Sequence, residues 1–231
     1  LAKTFYFDAD LSDPSQGREI VETRLLVKRQ GLWNVATYLW NGEQDDAALS
    51  LDGSTASVSF RDKSGTSRAT NHEIPSEAAC VTCHQSNDTA GFIGPKLSNL
   101  DRGVERDGAT VNQLEHLATL GLLPSGDSNV EAMVDYRDAS QSLEARARSY
   151  MEINCRHCHT PGAWERSADV ELDLRYDVEF ANSGIAENLK PLRRQIETGE
   201  MPFIGTTLIH EEGVELLLKY VDSLGAQSTW G

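Results

Sequence analysis

Cysteine occurs four times in this chain, and all four fall in two copies of one pattern: Cys80-Val81-Thr82-Cys83-His84 and Cys155-Arg156-His157-Cys158-His159. No other feature restricts the fold as strongly. On a helical turn, residues three apart share a face. Two thiols so placed can each form a thioether to one vinyl edge of a haem, and the histidine that follows can reach the iron. The pattern predicts two covalently attached haem c groups. Cys80, Cys83, Cys155 and Cys158 are the attachment points, and His84 and His159 are iron ligands.

Three other readings of the same residues compete. A structural zinc ribbon would gather four thiolates, but its two pairs stand roughly 15–20 residues apart, and here the gap is about 70. Two disulfides, or two redox-active Cys-X-X-Cys pairs, would use the cysteines and leave both histidines unexplained. Chance placement of two trailing histidines is the third reading, in a chain with only 6 histidines among 231 residues.

Hydrophobic residues make up 39% of the chain and aromatics 7%, which is low for a compact fold. Two porphyrins would supply the missing apolar surface. The net charge is −15, from 21 Lys and Arg against 36 Asp and Glu. Phosphate binding needs a basic surface, so a nucleic-acid partner is excluded. A basic redox partner protein would be steered favourably, although an acidic surface also serves solubility alone. No apolar run approaches the ~20 residues that a membrane-spanning helix needs. The chain starts at Leu1 and enters a strand-like run at Thr4-Phe5-Tyr6-Phe7. A processed or truncated product is the expectation. Haem attachment to this motif normally follows export, so the expected location is periplasmic or extracellular.

Residues 1–75 read as β-rich. Glu19–Lys28 and Leu32–Trp40 are strand-like, and Asp52-Gly53 between Leu49-Ser50-Leu51 and Val58-Ser59-Phe60 predicts a hairpin. Asn41–Asp46 and Arg61–Asn71 read as polar loops. Trp33, Tyr38 and Trp40 read as core or sheet-face residues. Ser76 can cap a short helix carrying Cys80 to His84. Thr110-Val111-Asn112-Gln113 fits a capping box for a helix that stops near Gly121. A helix starting near Asp138 or Ser140 leads into Cys155. Another spans Glu187–Thr198, followed by Met201-Pro202-Phe203-Ile204-Gly205, and a last one runs from about His210 to Leu224.

The position opposite each histidine sets much of the redox potential, because a soft thioether favours Fe(II) and a second histidine does not. Met201, in its Met-Pro loop before the closing helix, is the expected second ligand of the haem on His159. Met133, in the stretch Ser128–Met133, is the expected one for the haem on His84, with His72 and His116 as rivals. Met151, four residues before Cys155, reads as core. Arg146 and Arg148, just before the second motif, could pair with a haem propionate, or could simply line an exposed helix face. His210-Glu211 is no metalloprotease motif, because position 214 is Val.

The order of helix with motif, loop, helix, Met-bearing loop and closing helix makes residues 138–231 resemble a small class I cytochrome c domain. Residues 76–137 resemble a shorter version. By that resemblance, Pro95 of Gly94-Pro95-Lys96-Leu97 packs on the His84 imidazole and a nearby carbonyl orients its N–H. Further runs are Glu22–Val27, Tyr38–Asn41 with Gln44–Ala47, and Asn112-Gln113-Leu114. Ala145–Tyr150 into Asn154-Cys155, and Met201-Pro202 with His210–Val214, complete the set. Together they resemble a family of bacterial diheme c-type cytochromes, mostly hypothetical exported proteins. Met151, where leucine is usual, and Phe203-Ile204 depart from its pattern. The resemblance implies electron transfer and no particular substrate.

The expected fold class is therefore α+β: a β-rich segment, residues 1–75, then two mainly α cytochrome c-like haem domains, 76–137 and 138–231. The leading function is electron transfer between redox partners outside the cytoplasm, without catalysis. The alternative is a peroxidase-like diheme enzyme whose first haem is open or His-ligated. In a third reading, residues 1–75 dock a partner and the haem part is its electron outlet.

Overall fold

The computed structural model describes residues 1–86, 89–90, 93–123, 130–163, 170–202 and 208–228, with backbone alone at 81–83, 85–86, 89–90 and 227–228. Two compact units divide the chain. One comprises Leu1–Gly91, Gly162–Arg166 and Arg194–Val214; the other comprises Phe92–Pro161, Ser167–Arg193 and Glu215–Gly231.

The first unit is built on β-strands. β1 (Ala2–Asp8), β2 (Arg18–Arg29), β3 (Leu32–Trp40) and β4 (Ala47–Ser50) form an antiparallel sheet in that order. β2 and β3 join through Gln30 and Gly31, both at positive φ (51° and 85°), the conformation a two-residue hairpin turn requires. β5 (Ser54–Arg61) and β6 (Ser67–Ile74) form a second hairpin. Their inward residues Val58 and Ile74 pack with Val21 of β2, and Phe7, Leu39 and Ala56 close over them.

Two local expectations fail here. Asp52-Gly53 does not turn a hairpin, since β4 pairs with β3 and β5 with β6. Gly53 instead lies at φ +78°, where a Cβ would come within 2.8 Å of the Ser76 nitrogen. Residues 67–71, read as loop, belong to β6, because cross-strand pairing and burial of His72 and Ile74 outweigh their polar composition.

The second unit and the segments around it correct the fold class. In place of two mainly α domains, the chain after residue 75 mixes short helices with β-hairpins and irregular stretches. The described helices are α1 (Glu77–His84), α2 (Leu97–Leu100), α3 (Gln113–Thr119), α4 (Leu143–Asn154), α5 (Leu189–Glu197) and α6 (Glu211–Ser228). Only α4 and α6 exceed nine residues. β7 (Gln85–Ser86) pairs with β8 (Thr89–Ala90), and β9 (Gly103–Arg106) pairs with β10 (Ala109–Asn112). Asp107 and Gly108, at φ 52° and 80°, turn the second of these hairpins. Helix nucleation is costly, so segments this short and this rich in Gly, Asp and Asn take the conformation that tertiary contacts dictate.

α3 illustrates this. Thr110 lies in β10, and Asn112 is the true cap, its side chain accepting from the Glu115 N–H at 3.1 Å. α4 starts at Leu143 under a Ser142 cap and buries Ala147 and Met151. α6 buries Leu216, Leu217, Tyr220 and Val221. Among the described residues, no helix is long and apolar enough to cross a membrane.

Candidate functional site

The first motif rides on α1. The Ser76 hydroxyl accepts from the Ala79 N–H at 3.1 Å, and its carbonyl accepts from the Cys80 N–H at 3.1 Å. The Glu77 N–H donates to the Leu51 carbonyl at 2.8 Å. That bond fixes the helix start to the end of β4, and the acidic Glu77 suits the positive end of the helix. Cys80 and His84, four apart, share a face, and Cys83 lies in the same helix three residues after Cys80.

The second motif follows α4 directly, as hydrogen-bonded turns. Cys155 and Arg156 donate their N–H groups to the Met151 carbonyl at 2.8 and 3.0 Å. Cys158 and His159 donate theirs to the Cys155 carbonyl at 3.1 and 3.0 Å. α4 itself ends at Asn154, with Cys155 as its C-cap at φ −124°, and the pentapeptide continues as a turn closed on the Cys155 carbonyl. The His159 carbonyl accepts from the Leu174 N–H at 2.9 Å. Burial pushes the Cys155 thiol up to about 12 and lowers the His159 imidazole, favouring the neutral ring that a metal needs. His159 Nδ1 is buried without a hydrogen-bond partner among the described residues.

These features fit a covalently held haem: two sulfurs on one turn, a neutral histidine beside them, and an imidazole nitrogen whose burial is uncompensated. Among the described residues, no three His, Cys, Asp or Glu side chains gather as a metal-binding group.

A charged network surrounds the second motif. Glu152, three residues before Cys155, is almost completely buried. Its Oε1 meets Lys96 Nζ at 2.7 Å and Arg156 Nε at 3.0 Å, and its Oε2 accepts from the Tyr176 N–H at 2.8 Å. Arg156 Nη2 donates to the Ile93 carbonyl at 2.6 Å. The Ile93-Gly94-Pro95-Lys96 segment, expected behind His84, is thus tied to the turn that carries His159.

Arg148 is 4% exposed rather than on an open helix face. Its Nη2 donates to the Arg175 and Val178 carbonyls at 2.9 and 2.5 Å, while its Nε has no partner among the described residues. A cavity of about 830 Å³ lies alongside, lined by Lys96, Glu144, Arg148, Glu152, Tyr176 and Glu179 among others. Arg148 therefore organises the 175–178 loop from within the fold.

The remaining candidates separate. His72, in β6, meets the fully buried Glu22 at 2.8 Å, and its ring lies against Phe5 and Phe7. Arg24 chelates the same carboxylate at 2.5 and 2.8 Å. His116, in α3, has a buried Nε2 with no partner among the described residues. Met133 is half-buried in the second unit, and its sulfur accepts from the Asn99 amide at 2.8 Å. Met201 falls in the first unit and is 36% exposed. Phe203–Gly205 of the expected Met-bearing loop, and Ser128-Asn129 before Met133, lie outside the described residues.

Glu152, Lys96 and Asn99 were not singled out from sequence. The i,i+4 spacing of Glu152 and Arg156 around Cys155 was the available signal. Comparison with protein-family models, with curated proteins and with solved structures finds no match.

Proposed function

We propose that the protein is a diheme c-type electron carrier. The observation that carries this reading is the second motif turn, where the Cys158 and His159 N–H groups both return to the Cys155 carbonyl and a buried imidazole nitrogen of His159 has no partner among the described residues. α1 offers the same spacing to Cys80, Cys83 and His84. When bound, each haem supplies an iron that cycles between Fe(II) and Fe(III). The chain's own groups attach the macrocycle, present a neutral histidine and exclude water by burial. Arg148 and Lys96, which line the cavity, offer positive charge to a propionate.

The net charge of −15 supports a basic redox partner, whose approach would slow as salt rises. Thioether formation on this motif supports a periplasmic or extracellular location. Mass spectrometry of denatured, matured protein should find the chain heavier by two haems, with pigment that acid–acetone does not extract. A bare chain, or an extractable pigment, rejects the reading. Spin state decides between carrier and enzyme: two low-spin irons are expected, and high-spin iron with peroxide turnover would make it a catalyst.

A further inference from the structure

We propose that Met133 is the second axial ligand of the iron held by His159, an assignment that rests on the diheme reading above. Sequence order pairs Met133 with the first motif; tertiary contacts tie it to the second.

The residues after Met133 run along α4, the helix that ends in Cys155. The Val134 carbonyl accepts from the Ser149 hydroxyl at 2.6 Å. The Tyr136 carbonyl accepts from Arg146 Nε at 2.7 Å, and the Tyr136 ring meets Tyr150 edge-on with centroids 5.3 Å apart. As the segment advances from 134 to 136, its hydrogen-bonded partners step back from 149 to 146, so the two run antiparallel. Met133 is therefore displaced from Val134 towards the Cys155 end of the helix.

A second set of contacts links Met133 to the motif turn through residues 96–99. The Met133 N–H donates to the Ser98 carbonyl at 3.0 Å, and the Asn99 amide donates to the Met133 sulfur at 2.8 Å. Asn99 Oδ1 in turn accepts from the Lys96 N–H at 3.2 Å. Lys96 then pairs with Glu152, and Glu152 with Arg156, a residue of the motif itself. The sulfur is thus fixed by an amide donor on a framework bonded to the motif turn. A thioether sulfur has two lone pairs; the Asn99 amide takes one, and the other remains for a metal. A soft sulfur opposite His159 would favour Fe(II) and raise that haem's potential above that of a bis-histidine haem.

The test is NMR of reduced, matured protein carrying ¹³C-methyl methionine. A methionine bound to iron lies over the haem ring, so its methyl resonance moves far upfield. The Met133 methyl is expected upfield, with cross-relaxation to the haem whose thioether protons belong to Cys155 and Cys158. Met133→His should keep that haem low-spin and convert its EPR signal to the bis-histidine type. A Met133 methyl at its ordinary position, or one connected to the Cys80/Cys83 haem, overturns the proposal. So does bis-histidine ligation of the His159 iron in the unaltered protein, for which His116 in the same unit is the rival. Two attached haems with Met133 elsewhere sink this assignment alone; a bare chain sinks the diheme reading with it.

Discussion

The same pentapeptide is supported in two different ways. α1 is an eight-residue helix fastened at its start, by the Ser76 cap and the Leu51 carbonyl. The second motif is the turn that follows a longer helix, which buries Arg148, Ser149 and Glu152 as well as Ala147 and Met151. A buried carboxylate, two cations and a backbone N–H converge just before Cys155. Among the described contacts, the first motif is held by backbone hydrogen bonds at its helix start, one of them to Leu51, and the second by a buried ion-pair network as well. Identical local chemistry can therefore carry different mechanical and electrostatic surroundings.

Substitutions can break that contrast. The largest loss is expected from Glu22→Ala in the first unit, which strips Arg24 and His72 of a fully buried carboxylate. Removing one partner of a buried pair costs about 3–5 kcal/mol, read as a lower denaturant midpoint. A loss under about 1 kcal/mol would mean the cluster is not dry. Glu152→Ala should cost about 2–3 kcal/mol, less because Lys96 is 36% exposed and stays hydrated. Its distinguishing mark is faster hydrogen exchange at the Cys158 and His159 amides, with Cys80 unchanged. Equal effects at both motifs would erase the contrast.

Gly53→Ala tests the first motif's anchor. Positive φ and a Cβ 2.8 Å from the Ser76 nitrogen and 2.9 Å from the Ile74 carbonyl force the α1 start to shift. A cost of about 2 kcal/mol and faster exchange at Cys80 are expected; an unaltered Cys80 amide would show that the cap does not govern the turn. Ser76→Ala and Ser142→Ala each remove one cap, about 1 kcal/mol. The first should fray its motif and the second should not, because α4 has buried side chains to hold it. The smallest effect is in acid. Hydrogen bonds from Arg175 hold the Asp173 carboxyl below its usual 3.8. That stabilisation is complete above pH 3.8 and disappears as pH falls through the lowered value. Solvent screening leaves about 0.5 kcal/mol, measured as the difference between the wild type and Asp173→Asn across that window.

The readable parts of the sequence were those governed by neighbours along the chain. β2 and β3 matched their branched and aromatic runs, Ser76 capped α1, and α6 followed its apolar spacing. Asp52-Gly53 misled because a turn dipeptide also suits a close backbone crossing, and Ser67–Asn71 misled because its pairing partner lies across a hairpin. The two mainly α domains failed for a related reason: short segments after residue 75 have no local preference strong enough to resist tertiary contacts. Lys96, Asn99 and Glu152 were invisible as a group, since nothing along the chain joins 96 to 152.

The sequence by itself determined where the two motif turns lie, because the pentapeptide closes on itself locally, in a helix over Cys80–His84 and in a hydrogen-bonded turn over Cys155–His159. Tertiary structure alone decided what surrounds each turn. It set Ile93 and Lys96 against the second motif turn and its neighbour Glu152, Met133 on Ser98 and Asn99, His72 against a buried glutamate, and Arg148 inside the fold. Those placements depend on hydrogen bonds and ion pairs between residues far apart in the chain, and the energies that select them exist only once the chain has closed on itself.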